Sequence, residues 1–122
     1  MHPVEPCPCD SAESAARCCL PLLWGERHAG TAEELMRSRY SAFALGDADY
    51  LWRTWHPRTR PERVTIDPAV VWTGLKIIEA AGDEVEFQAS YEDEGQRTGT
   101  LHERSRFAVR ARRWFYVDGD VL

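Results

Sequence analysis

The chain has 122 residues, 43% hydrophobic and 29% charged, and its five Trp, four Tyr and four Phe supply the apolar bulk of one core. Wholesale disorder and a second domain of ordinary size are excluded. No apolar stretch approaches the roughly 20 residues of a bilayer crossing, and a net charge of -5 opposes attraction to phosphate backbones and anionic lipids, so neither a membrane nor nucleic acid is an expected partner.

The opening Met1-His2-Pro3-Val4-Glu5-Pro6 lacks the basic and apolar regions of an export signal, so a cytoplasmic protein is expected. All four cysteines fall in the first nineteen residues, as Cys7-Pro8-Cys9, eight intervening residues, then Cys18-Cys19. Such clustering points to a local site rather than to a framework spread through the fold. Four thiolates bound to zinc at about 2.3 Å lie roughly 3.8 Å apart, a spacing that cysteines in a tight knuckle can meet. Two disulfides need an oxidising compartment, and a bond between the adjacent Cys18 and Cys19 needs a strained ring. Free or redox-active thiols and an iron-sulfur cluster are the other readings. Zinc on Cys7, Cys9, Cys18 and Cys19 is the expected one. A closed site of this kind has no open position for substrate, so its expected role is to fold an arm, residues 1–24, that otherwise lacks a core. The run Leu20-Pro21-Leu22-Leu23 is expected to be buried as the arm folds, with Trp24 anchoring it to the body.

Thr31 followed by Glu34 is a capping-box pattern, and the segment from Ala32 to Leu45 predicts a helix with an apolar stripe of Leu35, Met36, Tyr40, Phe43 and Ala44. Gly46 closes it. A shorter helix starting after Asp47 or Asp49 presents Leu51, Thr54 and Trp55 on one side before Pro57 interrupts it. Residues 58–68, with Pro61 and Pro68, read as a connector. Four strands follow: Val70 to Ile78, an alternating run through Val85, Phe87, Ala89 and Tyr91, a second through Leu101, Glu103, Ser105, Phe107 and Val109, and Trp114 to Asp118. Turn signals at Ala81-Gly82-Asp83 and Glu94-Gly95-Gln96 make them a meander, so the fold class is α+β, with helices first and an antiparallel sheet after. The acids from Glu79 to Glu94 and the arginines Arg104, Arg106, Arg110, Arg112 and Arg113 are expected to pair across neighbouring strands.

The same alternation sets candidate cavity residues. Glu103 shares a face with Leu101 and Phe107, where its charge needs an answering base, expected from Arg39 or Arg37. Trp114, Tyr116 and Asp118 share one side of the last strand. Glu103, His56 and Asp118 are the candidate acids and bases of a catalytic reading; the alternative roles are ion pairing, capping of a helix end and turn formation respectively. Tyr40, Trp55, Trp72, Phe87, Tyr91, Phe107, Trp114 and Tyr116 are the candidate ligand-binding residues, with core packing as the competing role.

The cysteine spacing resembles the SEC-C zinc motif at the C-terminal end of the SecA translocation ATPase, with Cys19 where that motif usually has His and Asp10-Ser11-Ala12-Glu13 where it has glycines and basic residues. The resemblance implies a protein or peptide partner docking through the arm. Leu35-Met36-Arg37-Ser38-Arg39-Tyr40-Ser41-Ala42-Phe43, Asp49-Tyr50-Leu51, Thr54-Trp55-His56-Pro57, His102-Glu103-Arg104-Ser105-Arg106-Phe107 and Trp114-Phe115-Tyr116-Val117-Asp118-Gly119 resemble the YchJ-like family. That resemblance implies a nuclear transport factor 2-like domain over residues 25–122, a curved antiparallel sheet packed on helices to form a cone with a cavity. It carries no particular activity with it; many members have a second SEC-C motif, whereas this chain offers one metal site, and a homodimer through the sheet and charge-rich strands facing water are both open as the assembly. Two function classes follow. The favoured one is a zinc-binding accessory protein, a non-enzymatic module for a small ligand in the cone or a peptide on the arm. The alternative is a cavity enzyme of isomerase, dehydratase or hydrolase type using His56, Glu103 or Asp118, with Tyr40 or Tyr116 as hydrogen-bond donor.

Overall fold

Thr31 opens the longest helix as the spacing predicts: its Oγ1 accepts a hydrogen bond from the Glu34 amide at 3.0 Å, and Gly46 ends the helix at φ 78°. The reciprocal half of the box differs, because the Glu34 carboxylate accepts from the Gly30 amide at 2.8 Å and pairs with both Nη atoms of Arg27. In this computed structural model, which describes residues 2–95 and 97–122, a 3-10 turn at Ala15–Arg17 leads to α1 (Leu20–Leu23), α2 (Ala32–Leu45) and α3 (Ala48–Arg53). Four strands follow, β1 (Val71–Ala81), β2 (Glu84–Glu92), β3 (Thr98–Arg110) and β4 (Arg113–Val121). They form one antiparallel meander in the order β1-β2-β3-β4. Of the second turn signal, Gln96 lies outside the described residues.

Helix α2 is buried on two sides. Leu35, Met36 and Tyr40 join Leu75, Val85, Phe87, Ala89 and Phe107 of the sheet in one core cluster. Ala42 joins Ala15, Leu20, Leu22, Leu23, Tyr50 and Leu51 in the other. An apolar stripe alone does not predict this. Ala44 is exposed, whereas Ser38 and Ser41 are fully buried. Ser38 satisfies its hydroxyl within the core, donating to the Leu35 carbonyl and meeting the Tyr50 hydroxyl at 2.7 Å. Leu20, Leu22 and Leu23 are buried as expected, but Trp24 is 59% exposed and belongs to neither core cluster, so it is not the expected anchor. The three leucines already fill the contact with α2 and α3, and Trp24 follows on the solvent side of the short helix. Helix α3 stops at Arg53, with Thr54 as its cap, whose amide and hydroxyl both donate to the Tyr50 carbonyl, at 3.0 and 2.8 Å, so Thr54 and Trp55 lie beyond it. Trp55 instead bridges to Tyr116 of β4.

Parity along β3 follows the sequence, but Val109 is 57% exposed because that strand outruns the layer covering it. Parity along β4 does not. Phe107 pairs with Tyr116, yet Arg106 pairs with Asp118, so one extra residue, Val117, is inserted as a bulge. The strand also continues to Val121. The bulge turns Asp118 and Asp120 to the outer face, where Arg106 pairs with both, at 2.6 and 2.7 Å. Next to them Arg104 bridges Glu79, Glu84 and Glu86, and His102 meets Glu86 at 2.8 Å. The expected pairing of the two segments is therefore met by Arg104 alone: Arg106 turns to the β4 acids instead, and Arg110, Arg112 and Arg113 pair with no acid among the described residues.

Candidate metal centre and the cleft beside it

The four cysteine sulfurs lie within 4.8 Å of one another. Cys9 and Cys18 stand 3.5 Å apart, and Cys18 and Cys19 3.8 Å apart. Backbone bonds from Cys7 to Glu13 at 2.9 Å and from Asp10 to Cys7 at 3.2 Å close the knuckle. Within it Asp10 and Ala12 take φ of 60° and 69°, left-handed values at which glycine is relaxed and alanine is not. Three anchors fix the knuckle to the body. Arg37 Nη1 of α2 donates to the Cys9 carbonyl at 2.8 Å, the Asp10 carboxylate accepts from the Leu75 amide of β1 at 3.0 Å, and Cys7 Sγ lies 3.7 Å from the Ser41 hydroxyl. Gly74 leaves room for the second contact, since a Cβ there would come 3.3 Å from the Asp10 carboxylate.

Without a cation the thiols of Cys7, Cys18 and Cys19 are pushed in different directions. Hydrogen bonds from Cys19 and then Cys9 hold the Cys7 thiol well below its ordinary range. The same contacts, with burial, push Cys19 up, and burial pushes Cys18 to about 11 against the Ser11 hydroxyl. A positive ion offsets the mutual repulsion of clustered thiolates, and a soft-donor set of this spacing could hold a metal ion. Arg27 lies close enough to Cys18 and Cys19 to feel their charge, although Glu34 is the main reason its pKa is raised. A four-thiolate centre would thus have arginines on two sides to offset its excess negative charge.

Under α2 the concave face of the sheet carries a cleft in two adjoining parts. An apolar part of about 60 Å³ is lined by Met36, Tyr40, Phe43, Trp72, Phe87, Ala89 and Leu101. Tyr91 packs edge-on against Trp72, with ring centroids 5.5 Å apart. The second part, about 100 Å³, adds Arg39, Glu103, Ser105 and Tyr116. Of the aromatic candidates, then, Tyr40, Trp72, Phe87, Tyr91 and Tyr116 gather at this cleft. Phe107 is buried beneath Tyr116, Trp55 packs on Tyr116 and Arg39, and Trp114 lies at a different depression.

The base expected to answer Glu103 does not do so. Arg39 is 4% exposed and spends Nη1 on the Leu51 carbonyl at 2.8 Å and the Thr54 hydroxyl at 2.7 Å. Its guanidinium lies over Tyr116 and Trp55, and burial lowers its pKa to about 10. Arg37 pairs with Glu33 instead. Glu103 Oε2 accepts from the Ser105 hydroxyl at 2.5 Å and from the Tyr116 hydroxyl at 3.4 Å. Tyr116 remains a donor because burial and the Glu103 charge push its pKa to about 12. A Cβ on Gly119 would collide with the Glu103 carboxylate, so that glycine is a spatial requirement of the site. Asp118 is on the opposite face with Arg106. His56 accepts from the Arg58 amide at 3.0 Å through Nδ1 and packs on Phe115, so its ring steadies the following turn rather than capping α3. Arg39, expected as the partner of Glu103, does line the cleft with it but spends its hydrogen bonds on the Leu51 carbonyl and the Thr54 hydroxyl.

Among the described residues, no helix is long and apolar enough to cross a membrane. Compared with known proteins, the chain is 50% identical to a UPF0225 protein of Streptomyces coelicolor, over 98% of each chain. It is 52% identical to one of Deinococcus radiodurans, over 95% of this chain and 89% of that one. The solution structure of a SEC-C motif protein of Rhodopseudomonas palustris superposes with a TM-score of 0.81 at 33% identity, covering 95% of this chain and 98% of that one. A crystal structure of a SEC-C motif protein of Psychrobacter arcticus gives 0.78 at 25%, covering 98% and 84%. Residues 31–119 match the family described as the YchJ middle NTF2-like domain, and the chain belongs to this YchJ-like, UPF0225 family.

Proposed function

We propose that the protein is a zinc-stapled, non-enzymatic binding module that acts in the cytoplasm as an accessory protein. The observation that carries the reading is the four-sulfur cluster, whose Cys7, Cys9 and Cys19 are buried in the same core cluster as the sheet. Cys7, Cys9, Cys18 and Cys19 would hold the ion as thiolates. Zinc would supply no reaction there, only the cross-link that ties the knuckle to α2 and β1. The ordered arm then offers a protein or peptide partner its exposed surface, and the cleft under α2 takes a small, mainly apolar ligand with one polar end toward Arg39 and Glu103. Elemental mass spectrometry of protein purified without added metal tests the staple. One zinc per chain, with four thiols released only on chelation and denaturation, is expected. Substoichiometric metal with freely reactive thiols overturns it.

A second reading, the cavity enzyme, rests on Glu103 alone. Both donors reach its Oε2, leaving Oε1 without a donor among the described residues in a cleft also lined by Arg39. Neither His56 nor Asp118 lines that cleft. Turnover of any small carbonyl or ester substrate that disappears in Glu103→Gln while metal content is unchanged would favour this reading over the first.

A further inference from the structure

The arginine run splits in two. Arg104 and Arg106 are neutralised on the outer face, whereas Arg110, Arg112 and Arg113 at the β3–β4 turn have no acidic partner among the described residues. Arg113 instead lines a second cleft, separate from the one under α2, of about 270 Å³. Its floor is Leu22, Leu35 and Tyr50, all buried. Its walls include Trp52 from α3 and Trp114 and Phe115 from β4. Every charged side chain lining it is basic: Arg27, Arg53, Arg60 and Arg113, with His28 beside them. No acid lines it among the described residues, in a chain whose net charge is -5.

The basic groups are not equivalent. Glu34 engages Arg27, and Asp49 engages Arg53 at 2.6 Å, so these two are held in place and partly neutralised. Arg60 and Arg113 have no carboxylate partner among the described residues. Arg60 lies over Trp52 with its Cζ 3.6 Å from the ring centroid, while Trp52 Nε1 donates to the Pro61 carbonyl at 3.2 Å and fixes the indole. A guanidinium stacked this way keeps its edge donors for an anion and offers its outer plane to a flat ring. Arg58 and Arg110 extend the positive field: both help hold His56, next to Phe115, below its ordinary pKa, after desolvation.

We propose that this cleft is a nucleotide-binding site, which takes a phosphate on Arg60 and Arg113 and a base against the Trp52–Arg60 stack and Trp114. The volume suits a single nucleotide. A simple anion would use the arginines and leave the aromatic walls idle, and an apolar ligand would leave the arginines without partners. A free nucleotide and one residue of a single strand offer the same chemistry. The site shares no lining residue with the cleft under α2, and because Leu22 of the arm forms part of its floor it is titrated with the arm's metal in place.

The test is a titration of the full chain with its metal, followed by tryptophan emission, using adenosine 5′-monophosphate, adenosine, inorganic phosphate and a single-stranded octanucleotide. Saturable quenching by the monophosphate is expected, with adenosine and phosphate each weaker by about tenfold or more. Arg60→Ala and Arg113→Ala should each weaken the monophosphate by a similar factor at unchanged thermal midpoint. Arg106→Ala, on the outer face, should bind as the parent does. Tighter, strongly salt-dependent binding of the octanucleotide assigns the site to a strand, and equal or weaker binding assigns it to free nucleotide. Absence of saturation by both probes, phosphate binding as tightly as the monophosphate, or unchanged binding in the Arg60 and Arg113 variants overturns the proposal.

Discussion

Between Pro6 and Ser14 the cysteine arm makes a single isolated bridge, whereas the four strands pair in long, nearly continuous ladders. Yet Cys9 and Ala15 of the arm are as fully buried as Val85 of the sheet. The sheet obtains burial by propagating backbone pairs, each of which positions the next. The arm has only a 3-10 turn and a four-residue helix, and its burial depends on a handful of fixed points at the cysteines. Order in the first region is therefore conditional on its ligand set, and order in the second on its core. Because both regions share one core cluster, the dependence should run one way: the arm can be lost without the sheet, but not the sheet without the arm.

Cys9→Ser is the largest blow to that asymmetry. Removing one of four thiolates should release the metal and more than about 5 kcal/mol of arm stability. Amide exchange should then show residues 7–24 unprotected while β2 and β3 keep their protection; uniform loss across the chain would break the comparison. Phe107→Ala attacks from the other side. The ring is 3% exposed and packs edge-on against Tyr116, so truncation should lower stability by about 3–4 kcal/mol. Here arm and sheet should melt together in a denaturant titration read by both near-UV absorption and thiol reactivity.

Asp10 joins the two regions. Asp10→Ala removes the acceptor of the Leu75 amide and should cost about 1–2 kcal/mol, while Asp10→Asn, which keeps an acceptor and tolerates the left-handed backbone, should cost under about 1 kcal/mol. A smaller effect separates the sheet by pH. Arg106 holds Asp120 below its ordinary pKa, and His102, with Arg104, does the same for Glu86. A carboxyl with a lowered folded pKa contributes stability that is full above its unfolded value, about 4, and is lost as pH falls through the folded one. In Cys9→Ser, where metal release no longer contributes, the urea midpoint should fall on acidification below about pH 4, and less so when Arg106→Ala is added.

Legibility followed the range of the interaction responsible. Helix α2 was readable to its ends because Thr31 and Gly46 act within one turn of the backbone they cap. The cysteine site was readable because its ligands are close in sequence as well as in space. The β4 bulge was not, since nothing distinguishes Val117 from an ordinary strand residue, and one inserted position sent Asp118 to the opposite face. Arg39 was misassigned for a similar reason. Alternation placed Glu103 inward, but the Leu51 carbonyl that Arg39 binds is open to it because α3 ends at Arg53, a boundary the sequence did not fix.

The smallest expected effect sharpens the contrast most finely, because both regions hold alanine in a left-handed conformation. Ala111, with Arg112, forms the two-residue turn between paired Arg110 and Arg113, at φ of 52° and 67°. Both central positions of such a turn favour Asn or Gly, so Ala111→Asn should stabilise the chain by about 0.5–1 kcal/mol. Ala12 carries the same strain at φ 69° inside the knuckle. If arm order is conditional on the metal, relief of strain at residue 12 matters only when the knuckle is formed. Ala111→Asn should therefore raise the thermal midpoint of metal-loaded and metal-stripped protein alike, whereas Ala12→Gly should raise it in the loaded form alone. An equal gain from Ala12→Gly after stripping would mean that the knuckle persists without its ion, and that the arm is ordered by its three anchors to α2 and β1 rather than by the thiolates.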